Sequence, residues 1–320
     1  MAAMSDSKPR DAFVSPRFAQ PATFMRLPHR TDLTGVDVAI FGVPFDSGTV
    51  YRSGTRLGPR EIRAQSSLIR PYSHFQQVAP FDELTIVDAG DVDVTPLSVE
   101  MAYRQIESFV SALAGAGITP VAVGGDHGIS LPILRALGKH FGPLGLVQFD
   151  SHIDTWDEDF GAKYFHGSPF YYAIEEGHVD PKRFVQVGIR GPMYGSQDFD
   201  FHRKRGITVI DVEETRRLGI DATVAAVRRV VGDGPTYVTF DIDAVDPTFA
   251  PGTGTPEVGG LTSHDAQRLV RGLAGLRIIG CDVVEVSPPF DGPGHITSLL
   301  AANLLFELLC VMARGRKRSV

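Results

Sequence analysis

Asp150, His152 and Asp154 stand two residues apart, as do Asp241 and Asp243, and each set closes a run of apolar, strand-type residues. Alternate side chains of an extended segment share one face, so each set can converge on a single point. Carboxylates gathered without a counter-charge repel one another and take up protons, whereas divalent cations would keep them ionised. A helix cap or a turn accounts for a lone aspartate at a strand end, and that reading suffices for Asp88 and Asp211. It does not account for three metal-competent side chains at spacing two followed by a second Asp-x-Asp. The segment Gly124-Gly125-Asp126-His127 also follows an apolar run and puts His127 forward as the sixth ligand. Asp126 is expected to orient a histidine by a hydrogen bond instead of binding metal.

Oxygen donors from aspartates, two imidazoles and no thiolate favour manganese over zinc or copper. Bridging carboxylates would hold two such ions roughly 3.5 Å apart with a water or hydroxide between them. The expected chemistry is metal-assisted hydrolysis.

These residues must be positioned by the elements around them. The sequence predicts strands over 36–43, 84–88, 119–123, 145–149, 184–188, 208–211, 237–240 and 278–286, and helices over 60–69, 98–116, 130–140, 222–231, 264–273 and 296–313. Continuous apolar strands alternating with amphipathic helices predict a three-layer α/β/α sandwich around a mostly parallel sheet of about eight strands. Ligands of such sheets bind beyond the carboxyl ends of the strands, where every acidic cluster sits.

Bulk properties narrow the class further. The chain has 320 residues, 43% hydrophobic and 22% charged, and no repeat or low-complexity linker divides it. One domain over 1–320 is expected, with 1–30 as an N-terminal extension. The only cysteines, Cys281 and Cys310, lie in no metal-binding pattern and point to a reducing compartment. A net charge of −7 offers no basic face to nucleic acid and suits a small cationic substrate. No apolar stretch is expected to reach transmembrane length, and the first thirty residues lack a signal-peptide core, so no membrane partner and a cytoplasmic location are expected. The glycines at 252, 254, 259 and 260 form no phosphate-binding motif and are expected to make tight turns near the metals. The basic C-terminal residues Arg314, Arg316, Lys317 and Arg318 read as a solvated helix end.

Several longer motifs carry a resemblance. Gly124-Gly-Asp-His-Gly128, Phe149-Asp-Ser-His-Ile-Asp154, the stretch from Thr239 to Leu261 and Glu285-Val-Ser-Pro-Pro-Phe-Asp291 resemble those of the ureohydrolases, the arginase and agmatinase family, in type and order. The resemblance runs from Phe41 to the last helix. It implies one manganese ion held by His127, Asp150, Asp154 and Asp241 and another by Asp150, His152, Asp241 and Asp243, two per subunit, with Asp150 and Asp241 bridging. It further implies attack of a bridging hydroxide on a guanidinium carbon, with His166, Glu285 and Asp154 as the catalytic group. Glu285 would pair with the guanidinium, and His166 would pass a proton to the leaving amine, which matches what a permanently charged guanidinium requires. Ser151 stands where alanine is usual in the family and is expected to point away from the metals. A homotrimer or homohexamer is implied as well.

Substrate choice falls to the loop 155–165. Arginases grip an amino-acid head there with small polar residues, whereas this chain reads Ala162-Lys-Tyr-Phe-His-Gly167 and resembles agmatinases and guanidino-acid hydrolases. Asp157, Glu158 and Asp159 would attract the distal ammonium of agmatine, and Trp156 is a candidate substrate wall, so agmatine is the favoured substrate, giving putrescine and urea for polyamine biosynthesis. A guanidino acid is the alternative. Lys163 or Arg190 would reverse the local field, and segment 15–28 resembles that of proclavaminate-type amidinohydrolases, whose substrate is anionic. Two further readings compete: a deacetylase-like amide hydrolase, which would bind one zinc with fewer acidic ligands, and a catalytically inactive relative serving as a regulatory subunit.

Overall fold

The computed structural model describes residues 8–317, with side chains to residue 315. Strands β1 (Val38–Gly42), β2 (Ile86–Asp91), β3 (Thr119–Val123), β4 (Leu144–Phe149), β5 (Val179–Val187), β6 (Thr208–Ile210), β7 (Thr236–Asp241) and β8 (Ile278–Val284) form one sheet in the order β2-β1-β3-β8-β7-β4-β5-β6. Every neighbouring pair is parallel. Strands β1, β4 and β7 are buried along their whole length, as a parallel sheet covered on both faces requires.

The helices are α1 (Gly58–Ser66), α2 (Pro80–Glu83), α3 (Val99–Gly115), α4 (Ser130–Phe141), α5 (Pro169–Glu175), α6 (Asp200–Arg205), α7 (Val212–Leu218), α8 (Ile220–Val231), α9 (Ser263–Gly272) and α10 (Ile296–Lys317). Helices α3, α4 and α5 build one apolar core against the sheet, and α1, α8, α9 and α10 build the other. Local chemistry sets their ends: Ser98 accepts the Met101 N–H at the start of α3, and Thr262 and Asp265 form a capping box on α9. All eight expected strands and all six expected helices are present. Helices α2, α5, α6 and α7 were not foreseen, because each is too short to display a helical period.

Helix α10 corrects one expectation. Its segment Ile296–Gly315 is long and apolar enough to cross a membrane by length and composition. Here that apolarity lies within the protein: Leu304, Leu305, Leu308 and Leu309 are buried, and the helix packs against α1, α9 and β8. Arg314 is half-buried near its end; the side chains of Arg316 and Lys317, and Arg318 altogether, lie outside the described residues.

The N-terminal extension is partly core. Residues 1–7 lie outside the described residues, but Phe24, Met25 and Leu27 are buried. Asp88 secures them, accepting the Phe24 N–H at 2.9 Å and pairing with Arg63 at 2.9 Å, so this aspartate caps no helix but is a buried anchor that also makes the expected turn contact, accepting the Gly90 N–H at 2.9 Å. Asp211 does cap α7, accepting the Glu214 N–H at 2.7 Å.

The sheet order positions the site. Strands β3, β8, β7 and β4 are consecutive across the middle of the sheet, and the chain passes from β3 to β4 over the two strands between them. The carboxyl ends there form the crevice that such a reversal opens in an open parallel sheet.

Candidate metal centre

His127 follows β3, Asp150, His152 and Asp154 follow β4, Asp241 ends β7 with Asp243 just beyond it, and Glu285 follows β8. Nδ1 of His127 faces Oδ2 of Asp154 at 2.9 Å and Oδ2 of Asp150 and Asp241 at 3.1 Å each. Nδ1 of His152 faces Oδ2 of Asp243 at 3.1 Å and Oδ1 of Asp150 at 3.7 Å. Two groups of metal-competent atoms result: His127, Asp150, Asp154 and Asp241, and Asp150, His152 and Asp243. Asp150 is common to both. Asp241 falls in the first alone, because its Oδ1 is turned to the Asp243 amide at 2.8 Å.

A cation fits this donor set. Thr239 donates its hydroxyl proton to Asp282 at 2.6 Å and therefore accepts from Nε2–H of His127 at 2.8 Å. That leaves the Nδ1 lone pair of a neutral His127 buried without a hydrogen-bond partner and aimed at three carboxylates. Only a positive charge between them relieves such a contact, whether protons or metal ions. Burial pushes Asp150 up to about 7, with Asp154 and Asp243 adding to it. Burial, with Asp243 and Asp150, also pushes Asp241 well up. Burial opposes a charge on His127 and on His152, yet the surrounding aspartates raise both. Burial works against Asp243 too, but His152 and two Ser151 donors hold it well below the usual range.

The backbone is strained at two of these positions. Asp154 has φ 48° and Glu285 has φ 62°, left-handed conformations that cost a non-glycine residue about 1–3 kcal/mol each. Two glycines bring chain segments close together. A Cβ on Gly125 would lie 1.9 Å from the Phe45 carbonyl oxygen, and one on Gly254 would lie 2.7 Å from that of Arg52.

Glu285 and His166 meet across the crevice. Oε1 of Glu285 accepts the His127 N–H at 2.8 Å and lies 3.1 Å from Nδ1 of His166. Oε2 of Glu285 is buried and has no partner, and among the described residues no arginine pairs with it. His166 is buried, its Nε2 3.4 Å from the Val50 amide. Burial disfavours its charge, but Glu285, Asp154 and Asp126 raise it to about 9.

Two expectations are corrected. Asp126 does not hold a histidine ring: its oxygens accept Gly48 N–H at 2.9 Å and Gly128 N–H at 3.0 Å, which fixes the loop, and Thr239 orients His127 instead. Ser151 does not point away from the site. Its hydroxyl donates to Oδ1 of Asp243 at 2.7 Å and lies 3.2 Å from Nδ1 of His152.

The loop that follows is dispersed. Asp157 and Glu158 are exposed, and Asp159 is half-buried in a tight turn pairing Asp159 with Ala162 around Phe160 (φ 49°) and Gly161 (φ 76°). Trp156 is half-buried, with its ring 6.5 Å from that of Tyr194 and its Nε1 buried without a partner. Lys163 is exposed over Tyr172, and the Arg190 guanidinium is taken up by backbone carbonyls, including those of Asp243 and Glu257. Sequence reasoning missed Thr239, Gln148 and Glu257. Nε2 of Gln148 donates to Oδ2 of Asp150 at 2.7 Å, and Glu257 lies 3.8 Å from the outer nitrogen of His152. A polar residue two positions before a ligand, inside an apolar strand, is the signal that marks Thr239 and Gln148.

A central crevice in a parallel α/β/α sandwich, floored by aspartates and histidines in two adjoining groups that could hold metal ions, defines a hydrolase of the α/β/α class. The chain belongs to the arginase family, which it matches over residues 36–311, and it is a hydrolase of guanidino compounds. It is 54% identical to a guanidinopropionase of Pseudomonas aeruginosa over 313 residues, 98% of each chain. It is 51% identical to a guanidinobutyrase of the same organism over 300 residues, 93% of this chain and 94% of the other. The structure of proclavaminate amidino hydrolase from Streptomyces clavuligerus superimposes with a TM-score of 0.91 at 43% identity, covering 94% of this chain and all (100%) of that one.

Proposed function

We propose that this protein is a manganese-dependent amidinohydrolase of short ω-guanidino carboxylates, converting substrate and water to urea and an amino acid. The observation that carries the guanidinium chemistry is Oε2 of Glu285, a buried carboxylate oxygen left open beside the two metal-competent groups. A planar cationic guanidinium supplies the N–H donors and the charge that this oxygen lacks.

His127, Asp150, Asp154 and Asp241 would hold one ion, and Asp150, His152 and Asp243 the other, joined by Asp241 once its Oδ1 turns from the Asp243 amide. Two divalent cations supply Lewis acidity and make water a nucleophile near neutral pH. Glu285 fixes the guanidinium through Oε2. His166, held through Nδ1 by Oε1 of Glu285, carries the proton that the leaving amine must gain.

Two observations support an anionic tail over agmatine. The guanidinopropionase and guanidinobutyrase relatives share half or more of their residues with this chain. Arg52 also offers a cation: its backbone carbonyl packs on Gly254 beside Glu285, and its guanidinium, 5.2 Å from the Tyr51 and Phe290 rings, has no carboxylate partner among the described residues. Agmatine is the second reading, favoured by the acidic run 157–159, although Asp157 and Glu158 are solvent-exposed. We further propose that the chain acts as one domain in the cytoplasm, as a trimer or hexamer.

A urea-release screen of the manganese-loaded protein against 3-guanidinopropionate, 4-guanidinobutyrate, agmatine and arginine tests this. A guanidino acid should lead agmatine by about tenfold or more, roughly the 1.4 kcal/mol of one paired charge. Agmatine ahead of both acids would overturn the substrate assignment. Full metal loading with no urea from any guanidine would point to the inactive relative.

A further inference from the structure

One step below the candidate ligands, a row of polar side chains crosses four neighbouring strands. Parallel register pairs Asp282 of β8 with Thr239 of β7, Thr239 with Gln148 of β4, and Gln148 with Gln186 of β5. All four side chains are fully buried in a sheet that is otherwise apolar at this depth. Burying so many polar groups is costly unless each is satisfied.

The row satisfies itself in two arms. On one side Asp282 accepts from Ser130 at 2.6 Å, Tyr237 at 2.7 Å and Thr239 at 2.6 Å, and Thr239 in turn faces His127. On the other side Nε2 of Gln148 donates to Oδ2 of Asp150 at 2.7 Å and to the His152 carbonyl at 3.3 Å. Oε1 of Gln148 accepts from Nε2 of Gln186 at 2.7 Å, which also donates to the Ile153 carbonyl at 2.6 Å. Oε1 of Gln186 then lies 2.8 Å from Nε2 of His202, a buried histidine on α6.

We propose that this row is a positioning device, in which Asp282 and Thr239 set the tautomer of His127 and the chain His202, Gln186, Gln148 sets the donor presented to Asp150. The proposal rests on the metal reading of the site. Its logic is one of polarity. Asp282 accepts from three hydroxyls, so Thr239 spends its single proton there and must accept from His127, which turns the Nδ1 lone pair towards the cation position. At the far end the carbonyls of Ile153 and His152 can only accept, so neither amide can flip without opposing oxygen to oxygen. His202 closes the chain as a donor. Burial pushes this histidine down to about 4, so it is neutral, and because Oε1 of Gln186 can only accept, its Nε2 carries the proton.

Metal-stripped protein titrated with Mn2+ by calorimetry, alongside thermal melting of the metal-free form, tests the device. At nearly constant volume, Thr239→Val removes the acceptor of the His127 Nε2–H and Gln148→Met removes the donor to Asp150. Each should weaken Mn2+ binding about 10–100-fold, the usual cost of losing an outer partner of a ligand. Thr239→Ser, which keeps the hydroxyl, should bind like the wild type. His202→Phe should weaken binding in the same direction, and combined with Gln148→Met should add little, since both act through one amide. Wild-type affinity in Thr239→Val and Gln148→Met, with only the metal-free melting point lowered, would reduce the row to core packing and overturn the proposal. If Thr239→Val fails to fold, Gln148→Met and the His202→Phe pair decide by the same readout. A wild-type protein that binds no divalent ion would instead overturn the metal reading, and the proposal with it.

Discussion

Nδ1 of His166 stands 3.1 Å from Oε1 of Glu285, and the second oxygen of that carboxylate is buried with nothing bound to it. One carboxylate thus holds the candidate proton donor with one oxygen and offers the other to substrate. Glu285→Gln keeps the shape and removes the charge. It should lower kcat/KM for guanidino substrates about 10–100-fold, the 1.5–3 kcal/mol of a charged hydrogen bond, with metal content unchanged. Unchanged kcat/KM would remove Glu285 from the guanidinium contact.

The same pair predicts a pH signature. Glu285 raises His166 to about 9, so a proton on His166 is available below that pH and lost above it. Activity that depends on this proton should fall on the alkaline side. In Glu285→Gln the largest favourable interaction with the imidazolium is gone, so the alkaline fall should move to lower pH. Steady-state rates from pH 6 to 10 on both proteins make the comparison, and coincident profiles would deny His166 the proton role.

Asp150 belongs to both metal-competent groups, whereas Asp154 belongs to one. Asp150→Ala should therefore abolish binding of both ions and turnover, and Asp241→Ala should do the same, because its Oδ2 serves the first group and its Oδ1 is the oxygen proposed for the second. Asp154→Ala should leave one ion bound. Elemental analysis of dialysed protein reads this directly, and near-normal manganese and rate in Asp150→Ala would refute the site.

Without metal the cluster predicts stability that declines as pH rises. Asp150 titrates at about 7 when folded, against roughly 4 for an unfolded aspartate, so between those values the folded state holds the extra proton. Raised His127 and His152 act in the same sense above roughly 6.5, because their stabilisation is complete below the unfolded value and lost above it. The melting temperature of metal-stripped protein should fall from pH 5 to pH 8. Mn2+ should reverse that fall and release protons as it binds, which an unbuffered titration detects. A metal-free melting temperature that rises over this interval would contradict the assigned protonation.

Much of this was legible in the sequence, for physical reasons that also mark where legibility stopped. The strands could be read because β-branched runs buried on both faces leave no other interpretation, and the ligands because spacing two survives directly after a strand. The polar row could not be read: Gln148 and Gln186 are isolated residues until parallel register sets them side by side. Asp126 was misjudged because the glycine turn sends its carboxylate to the amides of Gly48 and Gly128. Asp157 and Glu158 suggested a charge field, yet the turn at Phe160 and Gly161 leaves both exposed.

Ser151 shows the limit of alternation most directly. In a continuing strand it would face away from Asp150 and His152, but the chain has already left β4, and both its amide (3.1 Å) and its hydroxyl (2.7 Å) meet Oδ1 of Asp243. Two donors on one oxygen leave Oδ2 of Asp243 to face His152. Ser151→Ala removes the hydroxyl and retains the amide, so Asp243 keeps half of this restraint. The ion held by Asp150, His152 and Asp243 should weaken by up to about tenfold, at the low end for loss of an outer partner, while the ion beside His127 is unaffected. Stepwise Mn2+ titration should therefore show one affinity lowered and the other unchanged in Ser151→Ala relative to the wild type. Equal weakening at both steps would mean that the hydroxyl supports the loop as a whole and not Asp243 in particular.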